Sequence, residues 1–155
     1  MKIWINNRQR KISISLTVIK KKIAKILNAL GFPEAELSLT LINDRAMARL
    51  NRATFRRPGP TNVIAFPLRG GPFAHIQPQL LGDVVISLET TQRQAQQYGW
   101  SFDELLDLYL IHGILHLLGY DHETTEAEAA RMADKTRELL TLIHPQLQEE
   151  PLWPT

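Results

Sequence analysis

With 155 residues, 44% hydrophobic and 22% charged, the chain is sized and composed for one globular domain, 1–155, with a real core. No apolar run nears the roughly 20 residues of a membrane helix, and Met1–Arg8 lacks the apolar core of an export signal, so a cytoplasmic protein with no membrane contact is expected. Cysteine is absent, which excludes disulfides and thiolate metal ligands. The net charge of +2 hides a split: residues 1–60 hold 13 Lys/Arg against 3 Asp/Glu, a balance of +10, and residues 61–155 hold 5 against 13, a balance of −8. Either the basic half forms a face for a polyanion, or the two halves neutralise each other across the fold.

In chain order, Lys2-Ile3-Trp4-Ile5-Asn6 alternates and predicts a strand. Ser15 or Thr17 caps a helix to about Leu30, which Gly31 stops. Lys20, Lys21, Lys22 and Lys25 cover its outer side and read first as a solvated face. Glu36–Ile42 alternates as a second strand, and Asn43-Asp44 caps a short helix through Met47 and Leu50. Asn51 to Pro60 then reads as a basic loop ending in turn residues. Asn62–Pro67 is a third strand. The stretch after it, with Gly70-Gly71, Pro72 and Pro78, is a flexible loop whose His75 is a surface residue. Leu80–Ser87 is a fourth strand, apolar enough to be central. Ser87 or Thr90 starts a Gln-rich helix to about Gln97. Ser101 and Glu104 form a capping box for a helix over 102–118, and a last helix runs from Thr124-Thr125-Glu126 to about Ile143. The tail to Thr155 is expected to fray. The sum is an α+β fold: a single mixed four-stranded sheet packed with about five helices.

The most informative stretch is Leu110–His122, with three of the five histidines. His112 and His116 are four apart, so a helix puts both imidazoles on one face, one turn apart. Their neighbours are almost all apolar, so this helix is expected to be buried on most sides. Gly119 allows a turn that returns His122 toward the other two. Three imidazoles with a fourth position open are a usual holder of catalytic zinc, here on a central helix and the turn that follows it. The spacing H-x-x-x-H-x-x-G-x-x-H is that of the metzincin peptidases, except that Gly113 stands where their general-base Glu follows the first His.

His112–His122 resembles the H-G-x-L-H-L-x-G-Y-D-H block of the YbeY family (UPF0054). Leu50-Asn51 to Arg56, followed by Pro60-Thr61-Asn62-Val63-Ile64-Ala65-Phe66-Pro67, resembles its L-N-x-x-[FY]-R … P-T-[DN]-V-L-S-F-P block. Gly82-Asp83-Val84-Val85-Ile86-Ser87 resembles its G-D-I-x-I-S. The likeness extends over residues 36–142. The loop from Arg56 to Thr61 is one residue shorter than the family pattern, and Ala65 replaces the usual serine. The resemblance implies a mixed four-stranded sheet with helices and one zinc ion per chain on His112, His116 and His122. It also implies an RNA groove where Arg56 contacts the RNA, and the shorter loop leaves open whether Arg56 or Arg57 is the functional arginine; Arg56 is taken as the catalytic contact, with Arg57 and Arg52 as further candidate substrate contacts. Its implied role is maturation of ribosomal RNA, chiefly the small-subunit 3′ end, with links to ribosome quality control.

The chemistry is consistent with that role. A three-histidine zinc polarises a phosphoryl oxygen, and an arginine beside it offers a planar fork to the charge that builds on phosphate. Whether the nucleophile is water or the RNA 2′-hydroxyl stays open. Asp121 either orients an imidazole from behind or only caps the turn. The leading expectation is a zinc-dependent single-strand endoribonuclease acting on ribosomal RNA and the small ribosomal subunit. The alternatives are a non-catalytic ribosome-assembly factor with a structural zinc and a metzincin-like metallopeptidase.

Overall fold

The structure is a computed structural model that describes residues 1–68, 78–121 and 125–147. The strands are β1 (Lys2–Asn7), β2 (Glu36–Ile42), β3 (Val63–Pro67) and β4 (Leu80–Ser87). The helices are α1 (Leu16–Ala29), α2 (Asp44–Phe55), α3 (Leu88–Tyr98), α4 (Phe102–Leu117) and α5 (Glu126–Ile143), and a 3-10 turn follows at Pro145–Leu147. The sheet order is β1-β2-β4-β3. β1 and β2 pair in parallel, as do β2 and β4, while β3 runs antiparallel to β4. The expected α+β fold and the inner position of Leu80–Ser87 are both found.

Side-chain alternation divides the sheet between two cores of unequal size. Val84 and Ile86 join Ile3, Leu37, Leu39 and Leu41 in the main core, under α1, α3, α4 and α5. Val85, one residue out of phase, joins Ile42, Ile64 and Met47 in a small cluster with α2 on the other face. α4 is buried from Leu105 to Ile111 and again at Ile114, Leu115 and Leu117, as its continuous apolar sequence predicts. Among the described residues no helix is long and apolar enough to cross a membrane.

Caps decide where the helices start. Ser15 rather than Thr17 accepts from Val18 N–H, and Ser87 rather than Thr90 accepts from Thr90 N–H. Ser101 and Glu104 make the reciprocal capping box. One boundary differs from expectation. α2 does not end near Leu50 but continues through Asn51, Arg52, Ala53 and Thr54 to Phe55. That stretch reads as a loop by its charge, yet it holds no glycine or proline, so nothing breaks the helix before Pro58. Arg56, at φ 56°, caps it in the left-handed region and donates its N–H to Arg52 O at 2.9 Å.

Two polar knots tie the layers. Asp44 accepts from Ser87 Oγ at 2.7 Å, Thr90 Oγ1 at 2.5 Å and Arg93 Nη1 at 2.8 Å, which joins the start of α2 to the start of α3. Asp107, fully buried on α4, meets Lys22 Nζ at 2.8 Å and His144 Nε2 at 2.6 Å, and burial pushes its carboxyl up against the pull of these two partners. Burial also pushes the Asp44 carboxyl up, but its three donors outweigh that and hold it below its ordinary value of 3.8. A carboxylate held down in this way stabilises the fold above its unfolded pKa and loses that contribution as pH falls through its folded pKa. Asp44→Asn is therefore expected to cost about 1–2 kcal/mol at neutral pH. The gap to the parent should close as pH falls below 3.8. Urea unfolding of both proteins at pH 7 and in acid tests this, and a gap independent of pH would refute it.

Candidate active site

The C-terminal half of α4 lies over β3 and β4, and glycine lets it approach so closely. A Cβ on Gly113 would stand 2.5 Å from Val84 Cγ1 and 3.4 Å from Val63 Cγ2. The position that carries a general-base Glu in metzincins is thus pressed onto the sheet, with no room for any side chain. Gly113→Ala is expected to lower stability by about 1–3 kcal/mol, the usual range for overpacking, although alanine is the better helix former. Thermal unfolding measures this. A variant more stable than the parent would show that α4 can lift without cost.

Gly119 then ends the helix. At φ 92° it takes the left-handed position, with its N–H on His116 O at 3.0 Å and Tyr120 N–H on Leu115 O at 3.0 Å. This pair of bonds is a Schellman closure, and it turns Tyr120 and Asp121 back beside the last turn of α4. Arg131 of α5 lies 4.9 Å from the Tyr120 ring centroid and braces that turn.

Beside the turn is a cleft of about 490 Å³. Its floor is the edge strand β3, through Val63, Ala65 and Pro67, with Thr61 just before it. One wall is His116, Gly119, Tyr120 and Asp121; the other is Asn51, Phe55 and Arg57 from the end of α2 and the loop beyond. Ala65 leaves the floor without a hydroxyl at that point.

His112 and His116 are half-buried, with ring planes 4° apart and centroids 5.5 Å apart. The helical spacing thus delivers two parallel imidazoles on adjacent turns, as expected. This donor set suits zinc, for which neutral imidazole is a preferred ligand. The third expected ligand, His122, lies outside the described residues, as does His75.

The arginines divide. Arg57 lines the cleft and its guanidinium carbon lies 5.9 Å from the Phe55 ring centroid. All three, Arg52, Arg56 and Arg57, are exposed; Arg56 is at the cap and Arg52 in the last turn of α2, next to it. Asp121 lies in the wall beside His116. Sequence reasoning missed Asn51, which is 5% exposed and donates from Nδ2 to Gly59 O at 3.0 Å. That bond fastens the short loop carrying Arg57. The signal for it was available: Asn51 follows Met47 by four, on the packed face of a helix that goes on past Leu50.

Behind the cleft, Tyr109 of α4 donates to Gln94 Oε1 at 2.5 Å, which also accepts from Asn62 Nδ2 at 3.2 Å. Burial pushes the Tyr109 hydroxyl up to about 12, so it stays protonated and a donor. This link holds the start of β3, and with it the cleft floor, against α3 and α4.

A family model described as Endoribonuclease YbeY matches residues 4–144. The chain is 44% identical over 144 residues to the Endoribonuclease YbeY of Geobacter metallireducens, covering 92% of this chain and 96% of that one. To its namesake from Syntrophus aciditrophicus it is 39% identical over 145 residues, covering 93% and 91%. In fold it is similar to the solution structure of a Thermotoga maritima protein, with a TM-score of 0.68 at 24% identity over 96% of this chain and 93% of that one.

Proposed function

The chain belongs to the YbeY family of endoribonucleases, enzymes that cut RNA, and from that premise we propose a zinc-dependent cut in single-stranded ribosomal RNA. The proposed setting is the cytoplasm, in maturation of the small-subunit 3′ end and in ribosome quality control. The observation that carries the reading is one cleft walled by an imidazole of a parallel pair on one side and an arginine on the other.

His112, His116 and His122 would hold one zinc ion, with Asp121 orienting an imidazole from behind. Bound there, zinc supplies Lewis acidity toward a phosphoryl oxygen and eases loss of a proton from water near neutral pH. The remaining work falls to the chain's own residues. Arg57 takes two non-bridging oxygens of the scissile phosphate on its planar fork. As negative charge builds on those oxygens, their bonds to the guanidinium beside the Phe55 ring strengthen. Asn51 keeps it there through the Gly59 carbonyl. Arg56 and Arg52 hold the phosphates at the mouth of the cleft. This proposal moves the transition-state contact from Arg56, the expectation from the family pattern, to the neighbour that lines the cleft.

The peptidase alternative lacks its base, because Gly113 has no space to carry one. The experiment is metal analysis of the purified protein with single-stranded RNA cleavage assayed before chelation, after chelation and after zinc is restored. About one zinc per chain is expected, with cleavage lost and regained. Zinc without cleavage by the parent would move the reading to an assembly factor with a structural metal. Cleavage that survives metal removal would end the metal-dependent mechanism.

A further inference from the structure

The outer face of α2 carries Arg45, Arg49 and Arg52, and the cap adds Arg56. The intervals of four, three and four residues place them in one row along the helix. All four are exposed, and the packed side is the opposite one, where Met47 and Asn51 are buried and Ala46 and Leu50 meet the sheet. Among the described residues no carboxylate is paired with any of the four. The one acid of the helix, Asp44, is engaged by Arg93, Ser87 and Thr90. Like charges at these spacings destabilise a helix, and Arg45 adds a cation to the first turn, where the macrodipole favours an anion. The macrodipole favours Arg52 and Arg56 at the C-terminal end, but local helix stability does not account for Arg45 and Arg49. A polyanion laid along the row does.

The row also has a direction. α2 ends in the cleft, where Asn51, Phe55 and Arg57 line the wall. With a rise of 1.5 Å per residue, the ridge starts about 16 Å from the cap and arrives at the cleft mouth. We propose that Arg45, Arg49, Arg52 and Arg56 form a track for the backbone phosphates of the RNA strand that enters the cleft. Arg45 and Arg49 extend the footprint beyond the cutting site. The proposal rests on the ribonuclease reading above and adds where the strand runs. Contacts of this kind position the strand without reading its sequence. The other row of cations, Lys20, Lys21 and Lys25, is on α1, which packs on β1, α4 and α5 and contributes nothing to the described lining of the cleft.

The test is the salt dependence of binding to single-stranded 2′-O-methyl RNA, which lacks the 2′-hydroxyl nucleophile, read on samples whose strand is recovered intact. Two lengths are used, about 16 nucleotides and about 4. Arg45→Gln/Arg49→Gln removes two phosphate contacts. For the long strand the slope of log K against log salt should shrink by about 1.4, with affinity about 25-fold weaker near 0.1 M salt. The short strand should bind as it does to the parent. Lys20→Gln/Lys21→Gln, with the same change in net charge, should leave both strands unaffected. An unchanged slope in the arginine variant overturns the track and leaves the ridge to an acidic protein. An equal loss in the lysine variant overturns it too, since bulk charge would then explain the effect. A parent that binds neither strand overturns the RNA reading itself, which is a separate result.

Discussion

His116→Ala is expected to remove the metal and to lower RNA cleavage by at least about 10³-fold, while the metal-free protein keeps its fold. Loss of one of three ligands opens the centre, and cleavage that relies on Lewis acidity at phosphate goes with it. The fold should survive because His116 is only half-buried and lines the cleft rather than the main core. Alanine is also the strongest helix former at a position in the last turn of α4. Metal analysis after dialysis, with cleavage rates and thermal unfolding of metal-free samples, separates the two effects. A variant that keeps its metal and cuts at the parental rate would take His116 out of the centre. A variant that fails to fold even without metal would make the residue structural.

Arg57→Ala should retain the metal and lower kcat by about 10²–10³, the usual cost of removing one donor that faces developing charge. Arg56→Ala should act chiefly on KM and by about tenfold or less, as expected for a phosphate contact equally good in ground and transition states. Arg57→Lys should recover only part of the rate, since an ammonium is a point charge without the planar fork. The comparison separates adjacent residues of the same type. A larger kcat loss in Arg56→Ala would return the transition-state role to Arg56.

Much of this was legible in the residues. Every strand showed its alternation or apolar run, and the caps at Asn43, Ser101 and Thr125 lie where their side-chain oxygens precede apolar periodicity. The imidazole pair was legible as well, because an interval of four fixes two rings on one helix face whatever surrounds them. The end of α2 was not legible. Its residues after Leu50 are polar and basic, and that composition suits a loop and a solvated helix equally; the backbone bond from Arg56 to Arg52 and the packing of Asn51 made it helix.

The sequence by itself thus determined the elements and their caps, the parallel histidines on α4 and the excess of cations in the first sixty residues. These follow from local spacing and composition, which the chain carries in one dimension. The tertiary structure decided which arginine lines the cleft beside His116. Arg56 and Arg57 are chemically alike and adjacent, so only the left-handed cap, the Asn51–Gly59 bond and the edge of β3 distinguish them. It also explained Gly113, whose missing side chain has no local reason on a helix. The reason is Val84, 29 positions away in the chain and within contact distance across the sheet interface. Contacts between residues so far apart in sequence depend on how the layers pack, and packing is a property of the folded whole.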